Sequence, residues 1–152
     1  MSEVISLLQG IPETIATLAL SLSFARISLR WLPIVVGGVI ISIIGSAIKL
    51  LPLTLGLHSV AMLLMCVLFI SKTTHISPSK SFIVTISSVI ILIFFEIVIH
   101  LSISRLTTLS LEAASTDSLL WFLIGLPQAI IIFILSLLVS KIKKPVLNGW
   151  KI

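Results

Sequence analysis

Carboxyl and imidazole groups inside apolar runs are the residues of this chain best suited to chemistry. Glu13 lies in the first apolar run, Glu96 and His100 lie four residues apart in the fourth, and Gln128 lies in the fifth. An ionisable group in hydrocarbon costs about 2.5 to 3.5 kcal/mol on insertion scales, so such groups usually pair or bind something. A carboxylate near a histidine can bind a ligand or exchange protons. These four residues are therefore candidate ligand-binding residues.

Two of them belong to an internal repeat. The segment Gly10-Ile11-Pro12-Glu13 returns as Gly125-Leu126-Pro127-Gln128 at an offset of 115 residues. Proline has no amide hydrogen and leaves the carbonyl four residues back, at Leu8 or Leu123, without its helical partner. Together with the neighbouring glycines, both turns are predicted to bend or open, as broken helices do at ligand sites within membranes. A simple kink that improves packing is an equal alternative.

Composition sets the environment of these residues. The chain has 152 residues, of which 58% are hydrophobic and 10% charged, so a single water-soluble core of this size cannot hide its apolar surface. Continuous apolar runs of about 20 residues predict transmembrane helices rather than barrel strands. The predicted fold is an all-α polytopic bundle, one integral membrane domain over residues 1–152. Its five spans are Val4 to Phe24, Leu32 to Leu50, Leu55 to Ser71, Phe82 to Ser104 and Leu119 to Ser140.

The basic residues predict the orientation of the bundle. Eight lysines and arginines fall on one side of the predicted membrane and two, Lys49 and Arg105, fall on the other. The positive-inside rule therefore predicts a cytoplasmic carboxyl terminus and an external amino terminus, in a multi-pass protein of the plasma membrane. The connection from Arg105 to Ser118 is predicted to contain a short interfacial helix over residues 110–114.

Depth groups the polar residues into one predicted site. At about 1.5 Å of rise per residue, Glu13 and Gln128 lie roughly 13 Å below the outer surface and Glu96 about 12 Å below it. His100 is one turn further out than Glu96, while Lys49 and His58 lie at the outer ends of spans two and three. All six fall in the outer half of the membrane, which favours one shared site. The alternatives are a structural ion pair of Lys49 with Glu13 or Glu96, and snorkelling of Lys49 and His58 to the headgroups.

Span two carries a strip of small residues. Gly38, Ser42 and Ser46 are four residues apart, and Gly45 lies four residues before Lys49. Small residues at this spacing let another helix approach closely. The strip predicts tight packing within the bundle or across a homodimer.

Several kinds of chemistry lack the residues they need. Cys66 lies eight residues along the predicted span from His58, about 12 Å away, which is too far for a nucleophile and its base. Glu96 and His100 form only half of a metal-binding pattern, and there is neither a His-Glu-x-x-His motif nor a glycine-rich phosphate loop. We therefore expect no enzymatic activity, no metal and no cofactor. The chain also lacks the clustered basic face that nucleic-acid binding requires.

Short motifs along the chain resemble a known group of proteins. They are Ile11-Pro12-Glu13, Lys49-Leu50-Leu51-Pro52, Gly56-Leu57-His58, Glu96 and Gly125-Leu126-Pro127-Gln128. This succession resembles small, uncharacterised integral membrane proteins of Gram-positive bacteria, which are similar to the membrane halves of peptide-sensing histidine kinases. The resemblance implies a sensor-like membrane module. Because this chain ends shortly after Lys144, its output would require a separate cytoplasmic or membrane partner.

Three functions remain open from the sequence. The leading expectation is a sensor or regulatory module that binds a small or lipid-like ligand from the outer side and is surrounded by membrane lipid. The second is a small transporter that moves protons or cations through Glu96 and His100. The third is a structural assembly protein whose polar residues only hold helices together.

Overall fold

A computed structural model describes residues 2–49, 57–106, 118–146 and 149–152, and these residues contain five α-helices. The helices are α1 (Ser2–Phe24), α2 (Trp31–Lys49), α3 (Leu57–Thr73), α4 (Pro78–Leu106) and α5 (Ser118–Ile142). The all-helical prediction is confirmed, and the described residues contain only two isolated β-bridges besides. Four of the helices are long and apolar enough to cross a membrane, while α3 is shorter, with 17 residues. The count of five spans and their orientation stay predictions.

Helix boundaries differ from the predicted spans mainly at polar ends. Helix α4 begins at Pro78, four residues before the predicted start at Phe82. Ser77 caps this end, since its hydroxyl accepts a hydrogen bond from the Lys80 amide at 3.4 Å, and proline suits the first helical position. The predicted boundaries at Leu50 and Leu55 and the predicted interfacial helix over residues 110–114 lie outside the described residues.

Helix α1 occupies the centre of the bundle. It packs against α2 and α5 most extensively and also contacts α3 and α4. Successive residues from Ala16 to Ser23 are all buried, so every side of this part of the helix is covered. The large exposed apolar side chains lie mostly on the other four helices. Lipid solvates such faces well, so the least apolar of the four long helices takes the centre.

The two copies of the internal repeat lie side by side. A methyl group on Gly125 of α5 would overlap the Gln9 side chain of α1. Further along, the Ser23 hydroxyl donates to the Ser136 carbonyl at 2.9 Å. Both pairs are close to the repeat offset of 115 residues, so α1 and α5 run parallel and nearly in register.

The half of the bundle towards the end of α1 is tightly packed. Leu18, Leu22, Ile34 and Ile70 are fully or almost fully buried in one apolar cluster. Hydroxyl groups in this half bond to carbonyls of their own helix, with the Thr85 hydroxyl donating to the Ser81 carbonyl at 2.8 Å. The hydroxyls of Ser87 and Ser88 likewise donate to Ile83 and Val84.

A left-handed residue ends α1. Arg26 has a φ of 60°. Its amide donates to the Ser23 carbonyl at 3.1 Å, and the Ile27 amide donates to the Leu22 carbonyl at 2.9 Å. These two bonds form a Schellman cap, which satisfies the last carbonyls of the helix.

The C-terminal tail (residues 143–146 and 149–152) folds back onto this end of the bundle. The Val146 amide donates to the Arg26 carbonyl at 2.8 Å, and the Lys151 amide donates to the Thr73 carbonyl at 2.8 Å. Trp150 is buried, and its indole N–H donates to the Ser28 carbonyl at 2.7 Å. The tail therefore joins the connection after α1 to the connection after α3.

Candidate functional site

A cavity of about 470 Å³ lies among all five helices at the opposite end of the bundle from the tail. The residues predicted to share a site all line it: Glu13, Lys49, His58, Glu96, His100 and Gln128. The glycines of the repeat, Gly10 and Gly125, line it as well. The structure thus brings the predicted site residues together, whereas ligand binding by them stays a prediction.

Helix α1 supplies one wall through a polar stripe. Gln9, Glu13 and Thr17 are four residues apart and therefore share one helix face. The Thr17 hydroxyl donates to the Glu13 carbonyl at 2.8 Å, and the Thr14 hydroxyl donates to the Gly10 carbonyl at 2.7 Å. These hydroxyl groups use their hydrogens within the helix.

Helix α4 supplies the acidic and imidazole groups of a second wall. His100 Nδ1 lies 2.8 Å from the backbone carbonyl of Glu96. A carbonyl only accepts, so Nδ1 carries the hydrogen and donates. The predicted partnership of His100 with Glu96 therefore exists through the main chain of Glu96, and this bond leaves the Glu96 carboxylate available to the cavity.

Gln128 links two walls of the cavity. Its side chain is buried, and its Nε2 donates to the Leu92 carbonyl of α4 at 3.3 Å. The bond joins α5 to α4 beside Glu96. The amide thus has a structural partner in addition to its place in the cavity wall.

The ends of α2 and α3 form the rim. Lys49 is exposed, and His58 is partly buried with its Nε2 3.3 Å from the Ser59 hydroxyl. In the described part of the chain, Lys49 makes no direct ion pair with Glu13 or Glu96, and its exposure agrees with the snorkelling alternative. At the end of a helix, a long lysine side chain gains more from water than from a buried partner. Glu13 nevertheless interacts electrostatically with Glu96 and with Lys49.

The prolines do not open their helices. Helix α1 continues through Pro12 and α5 continues through Pro127, so the prediction of opened turns is wrong. Only one backbone bond is lost at a proline, and neighbouring side chains can satisfy nearby carbonyls. Two residues after Leu8, whose carbonyl loses its helical donor at Pro12, the Gly10 carbonyl accepts from the Thr14 hydroxyl and lies 3.1 Å from the Ser42 hydroxyl.

The small-residue strip of α2 packs inside the bundle. A side chain on Gly38 would overlap Ile15 of α1, whose Cα lies 3.3 Å from the added carbon, and one on Gly45 would overlap Met62 of α3. Ser42 is buried and donates to Thr14 Oγ1 at 3.0 Å, while Ser46 is partly buried. The strip therefore serves packing within one chain.

The carboxylates differ from four other polar groups of the wall. Thr14, Thr17, His100 and Gln128 each have hydrogen-bond partners in the protein. Within the described ranges, the carboxylates of Glu13 and Glu96 accept no hydrogen bond and form no ion pair. The cavity consequently presents two carboxylates whose acceptor capacity is available to a bound molecule.

Other residues of the site escaped prediction from sequence. Gln9, Thr14, Thr17, Ser59, Met62 and Cys66 also line the cavity. The spacing of Gln9, Glu13 and Thr17 carried a signal for two of them. Among the described residues, no group of three or more His, Cys, Asp and Glu side chains is placed to hold a metal ion.

Comparisons with protein families, with curated proteins and with solved structures find no match to this chain. The geometry of the cavity and of the tail is therefore the basis for inferring function.

Proposed function

We propose that this protein is a membrane sensor or regulatory module that binds a small or lipid-like ligand in the cavity from the outer side of the plasma membrane. The main support is that six polar residues from five helices line one cavity. Polar groups at membrane depth are costly, and ligand pockets commonly have volumes of about 300 to 1,000 Å³. Glu13, Glu96, His100 and Gln128 are its principal ligand-binding residues, with Lys49 and His58 at the rim.

The proposed signal travels along α1 and α5. Both helices line the cavity, and both end next to the C-terminal tail, since α1 ends at the Arg26 cap and α5 leads into Lys143. A ligand that shifts Glu13 against Gln128 would move two parallel helices whose far ends share the tail. A cytoplasmic or membrane partner that reads this end must, by reciprocity, also change ligand affinity.

A cavity-filling label tests this coupling without knowledge of the natural ligand. The full chain in lipid nanodiscs is alkylated with N-ethylmaleimide at Cys66, which lines the cavity and is the only cysteine. Hydrogen exchange is then measured at the amides of His75, Val146 and Lys151, which bond across the far end. We expect their exchange to change severalfold on alkylation, whereas a Cys66→Ala control treated in the same way should not change. Unchanged exchange after complete alkylation would overturn the proposed coupling.

The transporter alternative requires a route through both halves of the bundle. The cavity lining reaches Thr17 on α1 and Cys66 on α3, and residues beyond, such as Leu18 and Ile70, are fully buried in apolar packing. Ion relays also need titratable groups at successive depths. We therefore expect reconstituted vesicles to show no proton flux above protein-free vesicles. Flux that disappears in Glu96→Gln would favour the transporter instead.

A further inference from the structure

The charge inside the cavity opposes the charge of the whole chain. The chain carries a formal net charge of +5 at pH 7 with histidines neutral. The cavity, by contrast, is lined by two carboxylates, Glu13 and Glu96, and one ammonium, Lys49. With both glutamates ionised and the histidines neutral, the formal charge of the lining is −1. Lys49 is exposed at the rim, so its neutralising effect is also the more screened by water.

The hydrogen bonds of the cavity wall also favour a positively charged ligand. The donors of the wall at Thr14, Thr17 and Gln128 are bound to protein carbonyls. The carboxylates of Glu13 and Glu96 accept nothing from the described part of the chain. Gln9 and Lys49 add N–H donors to the lining, but its only anionic groups are the two carboxylates, and an N–H donor with positive charge satisfies these best.

Part of the lining is apolar. Met62 and Leu63 of α3 face the cavity together with Leu92 and Ile93 of α4. These side chains can surround a hydrocarbon or aromatic body, and methionine adapts its shape to such a body. A bare inorganic cation would leave this surface unused, and no metal-binding group of side chains is present among the described residues.

We infer that the ligand is a small amphipathic amine, with a protonated amino group between Glu13 and Glu96 and an apolar body against α3 and α4. This inference rests on the proposed function, since it names the ligand class of the same cavity. The inference also predicts how the charge of Lys49 affects binding. Removal of its charge should strengthen binding of a cation and weaken binding of an anion.

Three matched probes test the charge of the ligand. They are 6-phenylhexylamine, 6-phenylhexanol and 6-phenylhexanoate, applied to the full chain in nanodiscs of neutral lipid. The readouts are the rate of Cys66 alkylation, which an occupant of the cavity slows, and the temperature of cooperative unfolding. We expect the amine to protect Cys66 at a concentration about tenfold lower than the alcohol, with the carboxylate weakest.

Variants then assign this selectivity to residues. Glu13→Gln and Glu96→Gln should each weaken amine protection about tenfold, and Lys49→Gln should strengthen it about threefold. Ser87→Ala is the matched control, because that hydroxyl bonds to Ile83 of its own helix and does not line the cavity. If a glutamate variant fails to fold, two measurements still test the inference. They are the selectivity of the unaltered chain among the three probes and the effect of Lys49→Gln, a change at an exposed position.

Failure of this inference differs from failure of the proposed function. Equal protection by amine and alcohol, preference for the carboxylate, weaker amine binding in Lys49→Gln, or no protection by any probe overturns the amine. Each of these results leaves the coupling measured with alkylated Cys66 unaffected. Loss of that coupling together with intact amine selectivity would overturn the sensor and leave an amine-binding protein.

Discussion

The two ends of the bundle differ in how their polar side chains are hydrogen-bonded. Near the Arg26 cap and the tail, buried hydroxyls such as Thr85 and Ser88 bond to their own helices and the space between helices is filled by leucine and isoleucine. At the other end, Glu13 and Glu96 face a cavity and have no bonded partner among the described residues. Packing that satisfies every group stabilises a fold, whereas an open cavity with available carboxylates is suited to binding. The closely packed core and the proposed ligand site thus lie at opposite ends of the bundle.

Among variants that test the difference between the two ends of the bundle, the largest loss of stability is expected at the tail. Trp150 is 7% exposed and donates to the Ser28 carbonyl. Trp150→Ala should destabilise docking of the tail by about 3 kcal/mol, since a large buried aromatic side chain and its hydrogen bond are lost. Hydrogen exchange at the His75 and Lys151 amides should accelerate accordingly. Ile152→Ala, at a position 65% exposed, is the control, and equal exchange in both variants would contradict the docked tail.

A smaller effect is expected in the packed half. Leu22 is fully buried, so Leu22→Ala should lower the free energy of unfolding by about 2 kcal/mol. This value is at the low end for such cavities, because lipid tails also solvate leucine in the separated helices. Unfolding by dodecyl sulfate in mixed micelles, followed by circular dichroism, measures it. Leu32→Ala, at a position 78% exposed, should change little, and a similar loss there would show that size alone matters.

The bond between α1 and α2 should contribute less. The Ser42 hydroxyl lies 3.0 Å from Thr14 Oγ1 and 3.1 Å from the Gly10 carbonyl. Ser42→Ala should cost about 0.6 to 1 kcal/mol in the same unfolding measurement, as hydrogen bonds between membrane helices do. Ser87→Ala removes a hydroxyl bonded only within its helix and should cost less. A larger loss for Ser87→Ala would reverse the assignment.

The smallest change in stability is expected at the cavity. Glu96→Gln should alter the free energy of unfolding by less than about 0.5 kcal/mol, because its carboxylate has no bonded partner in the described residues. A buried ion pair would behave differently, since loss of one partner typically costs about 3 to 5 kcal/mol. A loss of that size would support the structural alternative and would remove the contrast between the two halves.

Sequence reasoning succeeded where a periodic or energetic rule applied. Apolar runs predicted the helices, and depth predicted that Glu13, Glu96 and Gln128 would line one cavity. It failed where three-dimensional neighbours decide the outcome. Opened turns were predicted at Pro12 and Pro127, but both helices continue through these residues.

Two features of the fold had weaker signals in the sequence. The lower hydropathy of α1 could have indicated its central position, because lipid favours the more apolar helices at the periphery. Docking of the tail had no such signal. The carbonyls of Arg26 and Thr73 that hold the tail are backbone groups that any residue type supplies, and the presence of Trp150 alone does not indicate the surface it packs against.

Arg26 is relevant both to membrane insertion of the chain and to its folded structure. Its charge is one of the eight that predict the orientation of the protein during insertion. Once folded, the same residue holds a left-handed conformation that costs about 1 to 2 kcal/mol outside glycine, and its carbonyl receives the Val146 amide. Replacing Arg26 with glycine would relax the backbone but would remove a positive charge that contributes to the predicted orientation. The chain therefore retains a conformational penalty at a residue whose charge contributes to the predicted orientation and whose carbonyl holds the tail.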